Sequence, residues 1–582
     1  MRILFLTHSF NSLTQRLHAE LTARGHEISV EFDITDSVAE EAVALFRPDL
    51  ILAPYLRRAI PESIWKHHRC LIVHPGIVGD RGPSALDWAI LGDEEQWGVT
   101  VLQAEAEMDA GPIWATANFP LRVATKASLY RNEVTEAALS AVLTALERLG
   151  DKDFQPQPLA SVIAPRGQLR PLMRQTDRAI DWQRDTSATV LAKLRAADGF
   201  PGVADQLFGE PCHLFDGHAE AILRGGDGRQ PGDVIGRRET ALLRATVDGA
   251  VWIGHVKRSG EGAVKLPATL AFPTQSAALP ELPLSGWWAE TDATWQDIRY
   301  QAAGQVGFLH FDFYNGAMGT RQCQRLLDAF RWATTQATKV IVLMGGADFW
   351  SNGIHLNLIE AAIDRQDEQG NQGSPADESW ANINAIDDLA EAIIRCDSHL
   401  TVAAMAGNAG AGGCFLARAC DQLWLRDGVL LNPHYKNMGN LYGSEFWTYL
   451  LPPRVGEAGA AAIMKNRLPL TAKAAVEQGF ADACLAGEPA AFRVDLARRA
   501  SELATDGFAQ RLADKQAKRQ RDEAAKPLSQ YRAEELAKMR RNFYGFDPSY
   551  HVARYHFVRK SPQSWTPRHL ALHRNPGWTP PP

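Results

Sequence analysis

The segment CLIVHPGIVGDRGPSALDWAI, residues 70–90, contains the first residues whose types suit catalysis. Its apolar beginning ends at His74, and a polar, glycine-bearing loop leads from there into a helical pattern. Asp109 follows later in the chain, in the motif MDAG. An imidazole can stabilise an oxyanion and relay protons near neutral pH, and a nearby carboxylate can orient it. A strand-end histidine can also be purely structural, so these residues alone define a candidate site.

A second stretch, LTVAAMAGNAGAGG, runs from an apolar strand into a glycine-rich turn. Glycines at 412 and 413 let the backbone come close to a bound group, because no Cβ stands in the way. Tight packing alone is the alternative explanation of such a turn. Several polar residues follow this turn: Asn432, His434, Tyr435, Tyr442 and Glu445. They could form part of a functional site, or they could be ordinary core tyrosines and a surface glutamate.

The elements that must position His74 alternate between strands and helices. Apolar runs at 2–7, 26–32, 49–53 and 70–73 are separated by helical patterns at 11–24 and before Pro48. This order predicts a parallel, doubly wound sheet, in which ligands bind beyond the carboxyl ends of the strands. The first strand-to-helix turn, THSFN, has no GxGxxG, so a dinucleotide site loses its main support.

Composition narrows the class of protein. The chain has 582 residues, 45% of them hydrophobic, and a net charge of −7, which predicts several globular domains and no affinity for nucleic acid. No run reaches the roughly 18 apolar residues of a membrane span, so we expect no membrane partner. The cysteines are scattered and lack CxxC pairs, which indicates reduced thiols in the cytoplasm. His569 and His573 have helical spacing but no further ligands nearby, so we predict no metal.

Residues 1 to about 260 resemble the formyltetrahydrofolate-dependent formyltransferases. The resemblance lies in His74 with its loop and in GDEEQWGVTVLQAEAEMDAGPIW. The later RAIDWQRDTSATVLAKLRAADGFPG is similar to the start of the accessory domain of methionyl-tRNA formyltransferases. The resemblance implies catalytic roles for His74 and Asp109, and 10-formyltetrahydrofolate as the formyl donor. Ile72 stands where the family has an asparagine, so one donor to the oxyanion is missing.

Three arginines near this site could meet the glutamate tail of the folate or a phosphate: Arg57, Arg58 and Arg81. Solvated surface is the alternative, and it is the commoner role of such arginines. We take Arg57 as the substrate-binding candidate.

Residues from about 300 to 505 resemble the crotonase (enoyl-CoA hydratase/isomerase) family. The matching stretches are LTVAAMAGNAGAGGCFLARACDQLWL and ADFWSNGIHL. The resemblance implies an oxyanion hole made by the backbone N–H groups of Asn352 and Gly412, with Gly413 and His434 beside a bound coenzyme A thioester. Hydratases place a glutamate where Phe415 stands and another where His434 stands, so adding water to a double bond is not expected.

The pair of domains resembles the hydrogenase maturation factors of the HypX/HoxX type, which supply the carbon monoxide ligand of [NiFe]-hydrogenase. The distinctive stretches are LIVHPGIVGDRGPSALDWAI, NPHYKNMGNLYGSEFW and FYGFDPSYHVARYHFVRKS. The resemblance implies formyl transfer to coenzyme A and decarbonylation of formyl-CoA. Glu445 and Tyr435 are the candidate base and sulfur donor, with Tyr442 in support. Possible partners are other hydrogenase maturation proteins or the hydrogenase large subunit.

We therefore predict an α/β multidomain protein. Its parts are a Rossmann-like formyltransferase domain (1–172), a small β-rich accessory domain (173–266), a linker (267–295), a crotonase-like ββα spiral domain (296–505) and a helical C-terminal tail (506–582). Two other functions stay open. One is a formyltransferase for an amine acceptor with a degenerate crotonase domain, and the other is a non-catalytic scaffold for hydrogenase assembly.

Overall fold

The computed structural model describes residues 1–221, 229–284, 286–287, 294–364 and 372–579. The chain forms two compact units. The first consists of Met1–Ser259, Pro267–Glu281 and Pro562–Pro582, and the second of Gly260–Leu266 and Leu282–Ser561.

The first part of the first unit alternates strands and helices. In chain order they are β1 (Arg2–Thr7), α1 (Ser12–Ala23), β2 (Glu27–Phe32), α2 (Asp36–Phe46), β3 (Leu50–Ala53), α3 (Glu62–Trp65), β4 (Cys70–His74), α4 (Ala85–Leu91), β5 (Gln96–Gln103), β6 (Ile113–Pro120), α5 (Lys126–Leu129) and α6 (Thr135–Gly150).

These strands form one sheet in the order β2-β1-β3-β4-β5-β6. The first four are parallel, as expected, but β5 and β6 are antiparallel to their neighbours. The strands are almost continuously buried because helices cover a parallel sheet. Helix α1 buries Leu13, Leu17 and Leu21, the residues whose spacing predicted its inner face.

The accessory part has a helix and a second sheet, with the strand order β7-β8-β11-β10-β9. Its elements are α7 (Ser187–Ala197), β7 (Val203–Leu207), β8 (Glu210–Glu220), β9 (Val234–Arg238), β10 (Ala241–Ala245), β11 (Ala250–Arg258), β12 (Lys265–Pro267), α8 (Ala268–Ala271) and α9 (Pro273–Ala277). The expected linker 267–295 thus begins with two short helices; its residues 285 and 288–293 lie outside the described part.

The last described residues, from 562 onward, belong to the first unit and pack on β2. Val30 N–H donates to the carbonyl oxygen of Leu570 (2.9 Å), and Phe32 N–H donates to Thr566 Oγ1 (2.8 Å). Edge strands carry unpaired backbone groups, and this segment satisfies two of them. His573 is buried here, with Nε2 2.9 Å from Glu31 Oε2 and Nδ1 2.7 Å from Ser29 Oγ.

The second unit contains two sheets, in the orders β13-β14-β15-β17-β19-β22 and β16-β18-β20-β21. The strands are β13 (Ile298–Ala303), β14 (Val306–Phe311), β15 (Val340–Gly345), β16 (Phe349–Ser351), β17 (Leu400–Met405), β18 (Asn408–Gly410), β19 (Gln422–Arg426), β20 (Leu430–Asn432), β21 (Leu470–Thr471) and β22 (Ala483–Leu485). In the larger sheet β13 is antiparallel to β14 and the other neighbours are parallel.

Helices enclose these sheets. They are α10 (Thr320–Ala333), α11 (Leu356–Glu360), α12 (Pro375–Arg395), α13 (Gly412–Arg418), α14 (Trp447–Leu450), α15 (Pro452–Lys465), α16 (Ala472–Glu477), α17 (Pro489–Thr505), α18 (Phe508–Ala525), α19 (Leu528–Tyr544) and α20 (Ser549–Arg559). Met539 and Phe543 of α19 and Tyr550 of α20 lie in the main core of this unit, so these helices complete its packing. Within the described ranges, no helix has both the length and the apolar character to cross a membrane.

Candidate functional site

His74 is the last residue of β4 and is only 4% exposed. Strand pairing sets it opposite Thr100 on β5. Thr100 Oγ1 donates to the carbonyl oxygen of Gly76 (2.8 Å), and Trp97 Nε1 donates to that of Pro75 (2.9 Å). The antiparallel strand β5 therefore holds the loop that leaves the histidine.

Two carboxylates face the two ring nitrogens of His74. Its Nε2 lies 2.9 Å from Asp80 Oδ2, and its Nδ1 lies 3.6 Å from Asp109 Oδ2. Asp109 has a positive φ of 55°, and its Oδ2 accepts the N–H of Gly82 at 3.1 Å. The predicted pair of His74 and Asp109 thus comes together, with a second acid on the opposite side of the ring.

Asp80 is the residue that reasoning from the sequence missed. Its side chain is 1% exposed, and its Oδ1 has no hydrogen-bond partner among the described residues. A Cβ at Gly76 would collide with both His74 Nε2 and Asp80 Oδ2, so the contact needs a glycine at this position of the loop. The only signal in the sequence was a carboxylate six residues after the histidine in a glycine-bearing loop.

Ile72 lies two residues before His74 on the same strand and is half-buried, with its side chain against the apolar cluster of this unit. Residues two apart in a strand point to the same face, so Ile72 presents an alkyl group on the face of His74. Arg57 is exposed; its Nε donates to Tyr55 Oη (3.1 Å), and its guanidinium lies 5.8 Å from the centre of the Phe200 ring. Arg81 pairs with Glu107.

The second candidate site centres on Glu445 and Tyr435, which are 1% and 5% exposed. Tyr435 Oη donates to Glu445 Oε2 at 2.6 Å. The ring of Tyr435 stacks on Phe415, with centroids 5.7 Å apart and planes inclined by 12°. Phe415, at the position where the crotonase resemblance places a carboxylate, therefore packs against the tyrosine that bonds Glu445.

The glycine-rich turn meets this pair directly. A Cβ at Gly412 would collide with the carboxylate of Glu445, and one at Gly413 would collide with the carbonyl of Ser351. Both glycines begin α13, where backbone N–H groups lack partners inside the helix. The carboxylate of Glu445 thus lies against the first turn of α13, whose backbone N–H groups are donors of the kind that can polarise a carbonyl.

Asn352, the other expected oxyanion donor, is engaged elsewhere. Its backbone N–H donates to the carbonyl oxygen of Gly316 at 2.7 Å, which leaves it no hydrogen for a thioester oxygen in this conformation. The next residue, Gly353, is the one that approaches the glycine-rich turn, since a Cβ there would lie 3.4 Å from the nitrogen of Gly412. Gly353 N–H donates to the hydroxyl of Ser351 at 3.0 Å.

His434 and Tyr442 were also predicted at the second site. His434 is buried two residues beyond the end of β20, and its backbone N–H donates to the carbonyl oxygen of Asn432 at 2.8 Å. The described contacts of Tyr442 are with the Trp447 ring, 5.4 Å between centroids, and, through its backbone N–H, with Asn542 Oδ1 at 3.1 Å. Neither contact joins it to Glu445.

Burial governs the protonation of the second site. Desolvation, reinforced by the negative charge of Asp387, holds the pKa of Glu445 well above its ordinary value. Desolvation, with the adjacent carboxylate of Glu445, also holds the pKa of Tyr435 well above its usual range. Burial therefore favours the protonated, uncharged form of both side chains.

Three family models match the chain. The one described as "Formyl transferase" matches residues 1–146, and "Formyl transferase, C-terminal domain" matches residues 172–271. The one described as "Enoyl-CoA hydratase/isomerase" matches residues 314–568. The formyltransferase models thus match the first part of the chain, and the enoyl-CoA hydratase/isomerase model matches the later part.

Two of the similar proteins match nearly the whole chain, and a third matches its first part. The hydrogenase maturation factor HoxX of Bradyrhizobium diazoefficiens is 54% identical over 575 residues, which are 99% of this chain and 97% of that protein. The crystal structure of HypX from Aquifex aeolicus in complex with tetrahydrofolic acid is 46% identical, covers 100% of both chains and has a TM-score of 0.93. A methionyl-tRNA formyltransferase of Ruegeria pomeroyi is 24% identical over 42% of this chain and 78% of its own length.

Proposed function

Because this chain belongs to the HypX/HoxX family of hydrogenase maturation factors, we propose that it makes carbon monoxide for the active-site CO ligand of [NiFe]-hydrogenase. The first unit moves the formyl group of 10-formyltetrahydrofolate to the thiol of coenzyme A. The second unit then releases CO from the formyl thioester and regenerates coenzyme A. The contact that carries this proposal is the buried Glu445–Tyr435 pair against Gly412.

His74 performs the acid–base work of the first step. It stabilises the tetrahedral oxyanion that forms when the thiol sulfur attacks the formyl carbon, and it delivers a proton to the folate nitrogen as the C–N bond breaks. The proton lost by the thiol balances the one that the nitrogen gains. Asp80 and Asp109 orient the imidazole from its two sides. A relative solved with tetrahydrofolic acid supports the folate donor.

A thiol acceptor agrees with the residue at position 72. Ile72 offers no hydrogen bond to the oxyanion, so this site stabilises the intermediate less than one with an asparagine would. A thiolate is a stronger nucleophile than an amine of similar basicity, and it needs less of that help. Arg57, exposed beside Tyr55, is our candidate for contact with an anionic part of a substrate.

In the second step, Glu445 removes the formyl proton. The electrons of the C–H bond stay on carbon as the lone pair of CO, and the C–S bond breaks with its electrons going to sulfur. Tyr435 gives its proton to the leaving sulfur and regains one from Glu445 through their 2.6 Å hydrogen bond. The products are CO and the free thiol, and both side chains return to their starting state.

Backbone groups hold the carbonyl during this step. We assign one donor to the N–H of Gly412 and the other to Gly353, whose partner in this structure is a side-chain hydroxyl that can rotate away. A formyl thioester has no α-carbon, so the hydratase and isomerase reactions of the crotonase family are closed to it. Loss of CO needs only a base, a sulfur donor and this clamp.

The test supplies purified full-length protein with 10-formyltetrahydrofolate and coenzyme A, and traps CO with a haem protein. We expect CO only when both substrates are present. Formylation of an amine without coenzyme A would favour an ordinary formyltransferase with a degenerate second domain. Binding of both substrates without turnover would favour a non-catalytic scaffold for hydrogenase assembly. Such a scaffold would contact the hydrogenase large subunit or another maturation protein but would make no CO.

A further inference from the structure

The loop that carries Glu445 has an unusual backbone. Glu445 and Phe446 are consecutive non-glycine residues with positive φ, 58° and 60°. Residues with a Cβ rarely adopt this region, and they persist in it when the surrounding structure holds them there. The question is which groups hold this pair.

Asp387, from α12, holds the first half of the loop. Its Oδ1 accepts the backbone N–H of Glu445 at 2.9 Å and the hydroxyl of Ser444 at 2.8 Å. The side chain is buried, and Oδ2 has no hydrogen-bond partner among the described residues. Asp387 Oδ1 therefore holds both the backbone of Glu445, the proposed base, and the side chain of its neighbour Ser444.

Glu535, from α19, holds the second half. Its Oε2 accepts the N–H of Phe446 at 2.9 Å, and its Oε1 accepts the N–H of Thr448 at 2.8 Å and the Thr448 hydroxyl at 2.5 Å. Glu535 is 1% exposed. Two buried acids from separate helices thus hold the loop by hydrogen bonds. Asp387 bonds Ser444 and Glu445, and Glu535 bonds Phe446 and Thr448.

Asp387 also places negative charge beside Glu445. Burial, together with Asp387, raises the pKa of Glu535 to about 8, and burial raises the pKa of Asp387. The other ionisable groups that interact electrostatically with this cluster include Tyr435, Tyr442, Cys323 of α10, Cys414 of α13, Asp388 of α12 and Arg532 of α19. Arg532 is the only cation among the groups named, and it pairs with Asp388 and Glu391.

We propose that Asp387 and Glu535 are positioning residues, which hold the loop of Glu445 so that its carboxylate keeps its reactive orientation, and that the charge of Asp387 also strengthens Glu445 as a base. This inference rests on the proposed role of Glu445 in releasing CO. Sequence reasoning placed neither residue at the site: Asp387 is 58 residues from Glu445, and Glu535 is 89 residues from Phe446.

The experiment measures CO release from supplied formyl-CoA against pH, with full-length Asp387→Asn and Glu535→Gln. Removing the negative charge of Asp387 stabilises ionised Glu445 and lowers its pKa. We therefore expect Asp387→Asn to move the acid-side inflection of the rate down by about one pH unit. In both variants the less well-held base should lower the high-pH plateau about tenfold.

Two exposed carboxylates on the same helices give matched controls. Asp377→Asn and Glu534→Gln remove the same charge, but Asp377 accepts the hydroxyl of Tyr544 and Glu534 pairs with Lys526. We expect both controls to keep the wild-type inflection within about 0.2 pH units, because solvent screens exposed charges. A control shift as large as that of Asp387→Asn would overturn the proposal.

An inflection and a plateau equal to wild type in Asp387→Asn or Glu535→Gln would overturn the assignment of that residue. If circular dichroism shows that either variant fails to fold, Ser444→Ala takes its place, since it removes one hydrogen bond of Asp387 and no charge. It should lower the plateau about threefold with little shift in the inflection, and an unchanged plateau would overturn the proposal. Absence of CO from the wild-type protein would instead refute the proposed function itself.

Discussion

The site around His74 and the site around Glu445 both join an acid to a second ionisable group, but they obtain their reactivity differently. At the first, the ionisable group is an imidazole, a chemical type that changes charge near neutral pH without help from burial. Its carboxylates come from nearby loops of the same domain. At the second, the proposed base is a carboxylic acid, whose pKa rises toward neutrality only when it is buried beside another acid.

The comparison shows how much surrounding structure the histidine site and the glutamate site each require. The first site needs a strand end and two loops. The second needs acids from two helices, a stacked aromatic ring and a glycine-rich turn, all excluding water from Glu445. We therefore expect substitutions to separate the two half-reactions cleanly, with the largest losses at the second site.

Glu445→Gln should produce the largest effect. Without its base, CO release from formyl-CoA should fall about a thousandfold, the usual scale of general-base catalysis. Transfer of the formyl group from folate to coenzyme A should persist, as measured by the appearance of tetrahydrofolate. Glu457→Gln, an exposed glutamate on α15, is the control. CO output equal to wild type would refute the assignment of the base.

His74→Ala should impair the first half-reaction, the transfer of the formyl group from folate to coenzyme A. Coenzyme A-dependent loss of the folate formyl group should fall about a hundredfold or more, because the oxyanion and the leaving nitrogen lose their proton donor. Supplied formyl-CoA should still give CO at the wild-type rate. His67→Ala, at an exposed position between α3 and β4, is the control. If decomposition of formyl-CoA also stops, the two sites do not divide the work as proposed.

Gly412→Ala should have a smaller effect, confined to the second site. The new methyl group would collide with the carboxylate of Glu445, so base or turn must shift, and CO release should fall about thirtyfold. Gly150→Ala, where a Cβ meets nothing within 4 Å, should leave both half-reactions unchanged. Stopped-flow CO binding to a haem protein measures the rate, and a wild-type rate would show that this turn does not border the reacting carbonyl.

Asp80→Asn should have the smallest effect of the four, at the first site. The variant keeps the shape of the side chain but loses its charge, so the imidazole of His74 is less firmly oriented, and formyl transfer should fall about tenfold. Restoration by Asp80→Glu is not expected, because the side chain is 1% exposed and has no room for a longer chain. An unchanged rate would make Asp109 the sufficient partner of His74.

The parts that sequence predicted well depend on local patterns. Leu13, Leu17 and Leu21 indicated one buried helix face, and the apolar run CLIVH indicated a strand ending at His74. The family resemblance also nominated Gly412, Tyr435 and Glu445, and the structure brings these three residues together, while their roles stay predictions. Hydrophobic periodicity reports only which face is buried, and it did not predict that β5 and β6 are antiparallel.

By itself, the sequence determined the two fold classes, the strand end that carries His74 and the turn that carries Gly412, because these depend on neighbouring residues. Only the tertiary structure decided that Asp80 faces His74, that Asp387 and Glu535 hold the loop of Glu445, and that the N–H of Asn352 is taken by Gly316. The physical reason is that hydrogen bonds between distant segments and the desolvation of an acid both arise from packing. Neither exists until helices and sheets have assembled around the residue.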